Sequence, residues 1–271
     1  MVKESKYLSF AKSLRVSVLK MTSKGKSSHV GSCLSIADII SVLFTDHLRI
    51  YPEDPYNSNR DRFILSKGHA GAIVYAALSK IGFFEEKVLE THYQNGSYLS
   101  GHVSHKNIPG VEISTGSLGH GLSIGCGIAY EAKIKKRNFK VFVLMSDGEC
   151  DEGSNWESIL FAPHHKLSNL CALIDYNKIQ SIKSVQETLD LEPFEAKWTS
   201  FGWNVLRCSG HDHIEINNKL LSANKSDKPT VIIFDTIKGK GVKFMENNPL
   251  WHYRPPSKDD LKKALNEIKK T

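Results

Sequence analysis

The sequence has no apolar run approaching the length that a helix needs to cross a bilayer, so we expect no membrane partner. It begins Met1 to Lys6 without an apolar signal segment, which predicts a cytoplasmic location. Its five cysteines stand singly at positions 33, 126, 150, 171 and 208, without a C-x-x-C pair. We therefore expect reduced thiols, and neither a disulfide framework nor a zinc site.

Basic charge is in excess, but its pattern is not that of a nucleic-acid-binding protein. The formal net charge is +7, with lysines concentrated near the ends, at 20–26 and 258–263. No aromatic residues interleave with a basic stripe, as single-strand binders require. The C-terminal group fits the solvated face of an amphipathic helix. The charge therefore supports no more than a weak attraction for anionic sugar phosphates, and we expect no nucleic-acid partner.

Apolar periodicity predicts a single α/β domain over residues 1–271, with no linker or repeat. Short apolar runs bounded by turn residues predict strands at 62–66, 140–145, 170–176, 203–208 and 230–236. Helical spacing predicts helices at 3–22, 35–43 (with Ser35 as N-cap), 71–80, 118–136, 152–166 and 214–224. This alternation indicates a doubly wound, mostly parallel sheet flanked by helices. The irregular segment 92–117 is long enough to indicate a functional loop.

Two polar positions follow neighbouring predicted strands. Asp147-Gly148 comes after the run 140–145, and Asn177, thirty positions after Asp147, closes the run 170–176. With the helix predicted between them, the two strands form a βαβ unit, and open α/β sheets bind ligands at the carboxyl ends of such strands. Mg²⁺ takes one or two protein oxygens and completes its octahedron with phosphate and water. We therefore interpret this edge of the sheet as a magnesium-diphosphate site.

The residues around this pair resemble the thiamine diphosphate motif of transketolases. The resemblance is carried by Ser146-Asp147-Gly148-Glu149-Cys150-Asp151-Glu152-Gly153 and by the ending Asp175-Tyr176-Asn177-Lys178-Ile179. Ser146 stands where the family usually has Gly, a small-for-small departure. The resemblance implies Mg²⁺ ligands at Asp147, Asn177 and the carbonyl of Ile179. The cofactor-binding positions that it implies in this motif are Asp147, Gly148, Glu149, Asn177 and Ile179.

A second stretch, 114–122, reads Ser-Thr-Gly-Ser-Leu-Gly-His-Gly-Leu and resembles the cofactor loop of the same family. Glycines let a backbone approach phosphate, and a helix opening near Leu118 would present free N–H groups to an anion. The resemblance places Gly116, Ser117 and Leu118 against the cofactor. Larger transketolases tend to have Pro and Gln where this chain has Ser117 and His120, and His120 is interpreted either as a site residue or as a plain helix start. Glycines at 119, 121, 125 and 127 predict tight packing against a neighbour or a ligand.

Twelve histidines are more than a chain of this size needs, and several stand in loops flanked by Gly or Ser. Imidazole suits proton transfer near neutral pH and hydrogen bonding to hydroxyl or phosphate oxygens. Taken singly, each histidine is more often a loop or core residue than a catalyst. Taken together, their contexts match the transketolase pattern in order along the chain. The resemblance implies a catalytic role in a substrate channel, with His69 also at the diphosphate, for His29, His69, His102 and His252.

Glu152 and Glu157 flank Gly153 at the start of the predicted crossover helix. Acidic residues near a helix N-terminus are favourable by themselves. For Glu152 the resemblance favours a catalytic carboxylate network that joins paired active sites across a subunit interface. Glu157 stays open between the two interpretations.

The run Lys238-Gly239-Lys240-Gly241 follows the last predicted strand. We interpret it as a mobile loop on the substrate side of the site. Its lysines either meet phosphate or are simply solvated.

The resemblance covers nearly the whole chain but only the first half of a full transketolase. In that family another domain holds the aminopyrimidine of the cofactor and supplies a glutamate hydrogen-bonded to its N1′ nitrogen. The pyrimidine-binding and C-terminal domains are absent here, so we expect them on a partner subunit. The simplest assembly is α2β2, with active sites between unlike subunits and sugar phosphates as substrates.

The function implied is transfer of a two-carbon ketol unit from a ketose phosphate to an aldose, with thiamine diphosphate and Mg²⁺ as cofactors. The chain would act as the N-terminal subunit of a two-component transketolase. One alternative is the α-subunit of a thiamine-diphosphate-dependent 2-oxo acid decarboxylase or dehydrogenase, which shares the metal motif but needs fewer hydroxyl-facing groups. Another is a non-catalytic module on the same fold, which loss of Asp147 or Asn177 would have favoured. The donor and acceptor sugars stay open.

Overall fold

A five-stranded sheet forms the centre of the protein in a computed structural model that describes residues 2–181 and 183–270. The strand order is β1-β2-β3-β5-β4, and every neighbouring pair is parallel. The predicted parallel α/β sheet is therefore confirmed. Its strands are β1 (Arg62–Leu65), β2 (Val141–Ser146), β3 (Leu170–Tyr176), β4 (Asn204–Ser209) and β5 (Thr230–Asp235).

Helices connect the strands and cover both faces of the sheet. Short 3₁₀ turns at 68–70, 86–91 and 148–151 and a π turn at 43–47 complete the described elements. The helices are α1 (Val2–Gly25), α2 (Val30–Ser35), α3 (Ala37–Val42), α4 (Gly71–Lys80), α5 (Gly121–Ile134), α6 (Gly153–His164), α7 (Val185–Thr188), α8 (Phe194–Ser200), α9 (His213–Ala223), α10 (Leu250–Tyr253) and α11 (Lys258–Ile268).

Each face of the sheet packs into its own apolar core, because successive side chains of a strand point to opposite faces. Phe142 and Leu144 of β2 pack into the core that contains α1 to α4 and α9. Val143 and Met145 pack into the second core, with α5, α6 and α8. Strands β2 and β3 are buried at every position, which explains why they are continuous apolar runs in the sequence.

The predicted first residue of the second helix, Ser35, is wrong. Ser35 is the last residue of α2, and α3 begins at Ala37. The hydroxyl of Ser35 donates to the carboxylate of Asp175 at 2.7 Å and caps no helix. A contact between residues 140 positions apart therefore overrides the local capping preference.

The helix predicted from Leu118 starts three residues later, at Gly121. Gly119 has a positive φ of 87°, which turns the chain before the helix begins. The N–H groups predicted to face an anion are partly used inside the protein. Gly119 donates to Oε1 of Glu149 at 2.9 Å, and Gly121 donates to Oγ of Ser66 at 3.1 Å.

The glycines at 119, 121, 125 and 127 were predicted to pack tightly against a neighbour or a ligand, and three of the four pack tightly within the chain. A Cβ on Gly121 would lie 2.2 Å from Oγ of Ser66, and one on Gly125 would lie 2.5 Å from Cγ2 of Val143. A Cβ at position 119 would meet the side chains at positions 152 and 154. A Cβ on Gly127 would have no neighbour within 4 Å in the described chain, so its close approach to a ligand or another molecule stays a prediction.

The remaining strand and helix predictions agree with the structure. The other predicted strands and helices lie within three residues of their expected ends, although the short helices α2, α7, α8 and α10 were not predicted. Residues 92–117 contain turns and bends but no helix or strand. All five cysteines are free and buried. None of the described helices is both long and apolar enough to cross a membrane.

Candidate active site

A cleft of about 220 Å³ opens at the edge of the sheet where the carboxyl ends of the strands meet. Ser146, the last residue of β2, pairs with Asp175 of β3, so the residues that follow both strands emerge side by side. The cleft brings together most of the positions predicted from sequence. Those that line the cleft are His29, His69, His102, Gly116, Leu118, Asp147, Gly148, Asn177, Ile179 and His252.

Three oxygen-bearing residues form one side of the cleft. Oδ1 of Asp147 accepts from the N–H of Gly148 at 2.8 Å, and Oδ2 accepts from the N–H of Lys178 at 2.6 Å. Oδ1 of Asn177 accepts from the N–H of Ile179 at 3.1 Å. These bonds hold the carboxylate, the amide oxygen and the carbonyl of Ile179 around the same space. Oxygens of this kind are the ligands that a hard divalent cation prefers, so the donor set fits Mg²⁺.

Asp147 is buried where a negative charge is costly. Burial, followed by repulsion from Asp175, raises the pKa of Asp147 to about 7, against the opposing effect of its two backbone N–H donors. A cation bound beside the carboxylate would favour its ionised form and reverse this shift.

Behind these oxygens lies a fully buried ion pair that the sequence analysis missed. Nζ of Lys67 lies 2.5 Å from Oδ2 of Asp175, which also accepts from Nδ2 of Asn177 at 3.0 Å. Burial alone would raise the pKa of Asp175, but Lys67 and neighbouring hydroxyls outweigh it and lower the pKa. Because Asp175 holds the amide nitrogen of Asn177, the amide oxygen is the group that accepts from Ile179 on the cleft side. The sequence signal for this ion pair was Asp175, a charged residue inside the apolar run 170–176.

The four predicted histidines form one cluster with His29 at its centre. The ring centroid of His29 lies 4.9 Å from that of His252, 5.0 Å from that of His69 and 5.6 Å from that of His102. The backbone N–H of His29 donates to the carbonyl of His252 at 2.8 Å. His29 itself has a φ of 71°, an uncommon conformation that concentrates at functional sites. The structure therefore brings the four histidines together, and their catalytic role stays a prediction.

Burial keeps three of these imidazoles neutral. It lowers the pKa of His29 to about 4, with repulsion from His102 and Lys238 acting in the same direction. It lowers the pKa of His252 to about 3, again with a contribution from Lys238. The pKa of His69 is also held well below its usual range, by burial and then by a neighbouring lysine. Near pH 7 each ring therefore offers one donor and one acceptor nitrogen to a hydroxyl group.

Lys238 is the second cation of the site, and it is 2% exposed. Its Nζ donates to the carbonyls of Ile179 at 3.0 Å and Gln180 at 3.1 Å. Burial, followed by repulsion from Lys67, lowers the pKa of Lys238 to about 8. The loop 238–241 was interpreted either as meeting phosphate or as simply solvated. Solvation is excluded for Lys238 because it is buried. Lys240, two residues on, is partly exposed and lies 3.9 Å from Glu246.

Several predicted positions lie outside the lining of the cleft. Glu149 is fully buried beneath it, where it accepts from Ser66 and Gly119, and burial raises its pKa. Ser117 is exposed, as is Glu152 just before α6. The two positions left open, His120 before α5 and Glu157 in α6, are also exposed. The roles suggested for these five positions stay predictions.

The chain matches known protein families along nearly its whole length. Residues 7–268 match the family described as transketolase, thiamine diphosphate binding domain. A protein of Phocaeicola vulgatus, named as one subunit of apulose-4-phosphate transketolase, is 38% identical over 255 residues, which are 94% of this chain and 90% of that protein. The 6-deoxy-6-sulfo-D-fructose transketolase subunit SqwG of a Clostridium species is 37% identical over 243 residues, covering 89% of this chain and 88% of that protein.

Longer proteins match through one part of their length. Human transketolase is 36% identical over 259 residues, which are 95% of this chain but 41% of that protein. The crystal structure of transketolase from Campylobacter jejuni superposes with a TM-score of 0.93 at 33% identity, covering 98% of this chain and 43% of that one. The chain thus spans about two fifths of the longer proteins and about nine tenths of those named as subunits.

Proposed function

We propose, since this chain belongs to the transketolase family through its thiamine diphosphate-binding domain, that it holds the diphosphate and Mg²⁺ in its cleft and completes its active site with a second subunit. Its activity is thiamine-diphosphate-dependent transfer of a two-carbon ketol unit, as the N-terminal subunit of a split transketolase. The observation that carries this conclusion is the match over nearly the full length of proteins named as transketolase subunits.

The proposed Mg²⁺ ligands are Asp147, Asn177 and the carbonyl of Ile179. Their support is the hard-oxygen donor set that these residues present at the cleft. When bound, thiamine diphosphate supplies the carbon that carries the two-carbon unit. Around the cofactor we place Lys238, with its ammonium toward the anionic diphosphate, and the backbone of Gly116. A Cβ at position 116 would lie 3.0 Å from the ring of His102. The other proposed cofactor contacts are His69, Ser117, Leu118, Gly148 and Glu149.

The histidine cluster is proposed to bind the sugar and to move protons. Neutral imidazoles donate to one oxygen and accept from another, which suits the adjacent hydroxyl and carbonyl groups of a ketose. His29, His69, His102 and His252 all face the same cleft, so hydroxyls along one sugar chain reach them together. We infer that these rings orient the substrate. They also exchange a proton with the sugar oxygen that changes between hydroxyl and carbonyl during the reaction.

The proposed partner is a subunit that carries the pyrimidine-binding domain and the glutamate that hydrogen-bonds N1′, in an assembly of two copies of each chain. Relatives named as subunits imply such a partner. On the surface of α6, Glu157 is exposed together with Leu160 and Phe161 on the same helix face, and Leu160 is 61% exposed. Exposed apolar residues of this kind are typical of subunit contacts. The proposed carboxylate network through Glu152 would lie at the start of this helix.

The proposed substrates are anionic ketoses and aldose acceptors. Two of the similar proteins are named for a sugar phosphate and for a sulfonated sugar. A formal net charge of +7 favours approach of such anions. Their common feature is a negatively charged group at the end of the sugar remote from the bond that is made or broken.

A reconstitution assay tests this function. The chain, a candidate subunit with the pyrimidine-binding domain, and their mixture are each incubated with thiamine diphosphate, Mg²⁺, a ketose phosphate and an aldose. We expect that only the mixture forms products of two-carbon transfer, which mass spectrometry detects. Full activity of the isolated chain would contradict the split active site. In a parallel incubation with a 2-oxo acid, release of CO₂ by the mixture, together with no ketol transfer in the first assay, would favour the decarboxylase alternative.

A further inference from the structure

A second cluster of buried charge lies behind the cleft and outside its lining. Asp38 of α3 is 4% exposed, and its carboxylate accepts two bonds from the guanidinium of Arg15, at 3.1 and 2.6 Å. The same carboxylate contacts Nδ1 of His211 at 2.8 Å and Nε2 of His213 at 2.9 Å. Burial would raise the pKa of Asp38, but these three partners outweigh it and hold the pKa well below its usual range. The cluster is therefore an ionised carboxylate surrounded by donors.

His211 connects this cluster to the loop that carries Lys238. Its Nε2 lies 2.8 Å from the backbone nitrogen of Ile237, which can only donate. Nε2 must therefore be the unprotonated nitrogen, and the proton on Nδ1 is donated to Asp38. The imidazole is thus held in one tautomer between a fixed carboxylate and a fixed backbone N–H.

Arg15 holds the same loop from the other side. Its Nε donates to the carbonyl of Lys240 at 3.1 Å. Two members of the cluster therefore fix the residues before and after Lys238, at Ile237 and Lys240. The carbonyl of Lys238 itself accepts from the N–H of Asn247 at 2.9 Å.

We propose that Asp38 and His211 are positioning residues that hold the backbone at Ile237 so that the ammonium of Lys238 faces the diphosphate in the cleft. This inference rests on the proposed function, because it assigns an anionic ligand to that ammonium. A lysine side chain has four rotatable bonds and a compact charge, so its direction depends on where its backbone is held. Asp38 and His211 do not line the cleft, so in this proposal they act through the loop that carries Lys238.

His213 supplies a matched control. It makes the same kind of contact with Asp38, at 2.9 Å, and it is 8% exposed. No bond joins its ring to the described backbone of the loop 236–241. Substitution of His213 therefore tests the loss of a bond to Asp38 without the loss of the bond to Ile237.

The test measures binding of thiamine diphosphate with Mg²⁺ to the assembled two-chain enzyme by calorimetry. The variants are His211→Phe, His211→Gln and His213→Phe, each with Lys238 intact and with Lys238→Met. Loss of the bond at Ile237 is expected to weaken cofactor binding about fivefold in His211→Phe. Gln keeps one amide donor and one acceptor, so His211→Gln is expected to stay within about twofold of wild type. His213→Phe is expected to lower the melting temperature but to leave cofactor affinity unchanged.

The double variants decide between positioning and general stabilisation. If His211 acts through Lys238, the fivefold effect of His211→Phe disappears when Lys238 is already Met. An equal loss of affinity in His213→Phe, or an undiminished effect of His211→Phe beside Lys238→Met, would overturn the proposal. So would unchanged affinity in His211→Phe. If that variant does not fold, His211→Asn, which is too short to bridge both partners, is judged by the same criteria.

The outcome also separates this inference from the function on which it rests. Wild-type enzyme that does not bind thiamine diphosphate would refute the proposed function and, with it, the role of Lys238. Wild-type enzyme that binds, together with a His211→Phe variant that binds equally well, would refute the positioning role alone.

Discussion

Positive charge lies at both edges of the sheet, but the two edges hold it differently. At the carboxyl edge, Lys67 and Lys238 are 1% and 2% exposed, and each ammonium contacts oxygens of the protein. At the amino edge, a groove beside the starts of β2 and β3 is lined by basic residues that are mostly exposed. They are Lys133, Lys136, Arg137, Lys140 and Lys166.

The comparison shows why net charge says little about function in this protein. A buried ammonium needs a partner, because its removal from water costs free energy. That cost is larger than the stabilisation that a solvated charge gains from its neighbours. Its position is therefore determined by a few specific contacts. Exposed lysines keep their hydration, and their contributions to stability are small. The two buried lysines, not the larger exposed group, mark the functional edge.

The largest expected effect is at the buried ion pair. Lys67→Met leaves the carboxylate of Asp175 buried without its cation, and it should lower the free energy of unfolding by about 3–5 kcal/mol. Lys136→Met at the amino edge should change it by less than about 0.5 kcal/mol. Urea denaturation of the cofactor-free chain measures both.

A double variant checks the cause of that loss. Lys67→Met combined with Asp175→Asn removes both charges and should recover part of the stability. Equal effects of Lys67→Met and Lys136→Met would mean that the two edges do not differ as described.

A smaller effect is expected from pH. Burial lowers the pKa of His92 to about 4, from 6.5, so the folded chain excludes a proton that the unfolded chain takes up. Stability from this group is complete above pH 6.5 and is lost as the pH falls toward 4, by about 3 kcal/mol. His92→Gln should remove that part of the acid sensitivity, measured as the free energy of unfolding at several pH values.

His164 provides the comparison at the opposite edge. It is exposed at the end of α6, so His164→Gln should change the free energy of unfolding at pH 7 by less than about 0.5 kcal/mol. A pH profile of His92→Gln that is parallel to that of wild type would contradict the assignment of this loss to His92.

The smallest effects are expected along α5, which runs from one edge of the sheet to the other. Gly125→Ala would place a Cβ 2.5 Å from Cγ2 of Val143, and overpacking of this kind costs about 1–3 kcal/mol. Gly127→Ala meets open space, so the better helix propensity of Ala should stabilise the isolated chain by up to about 1 kcal/mol. Thermal unfolding of the two variants should therefore shift in opposite directions, and shifts of the same sign would contradict the packing of α5.

The sheet could be predicted from sequence because its strands are buried on both faces. Parallel strands of this kind are continuous apolar runs, and β2 and β3 were located within one residue. The start of α3 could not be predicted, because the hydroxyl of Ser35 bonds Asp175, 140 positions away. Local capping preferences contain no information about such a contact.

The same limit explains which site residues were found. Asp147 and Asn177 each follow a strand, so strand prediction alone brought them together. Lys67 was missed because its partner lies 108 positions along the chain, and the role of Lys238 depends on Ile179, 59 positions before it. Both lysines have ordinary local contexts, and their burial arises only when the strands are assembled.

Binding of thiamine diphosphate with Mg²⁺ tests the account most directly. Calorimetric titrations would compare wild type, Asp147→Asn and the control Asp227→Asn, an exposed residue at the amino edge, in the chain alone and mixed with its partner subunit. We predict tight binding in the wild-type and Asp227→Asn mixtures and a loss of roughly a hundredfold or more for Asp147→Asn. Binding of equal strength to all three mixtures would contradict the assignment of the cleft as the cofactor site.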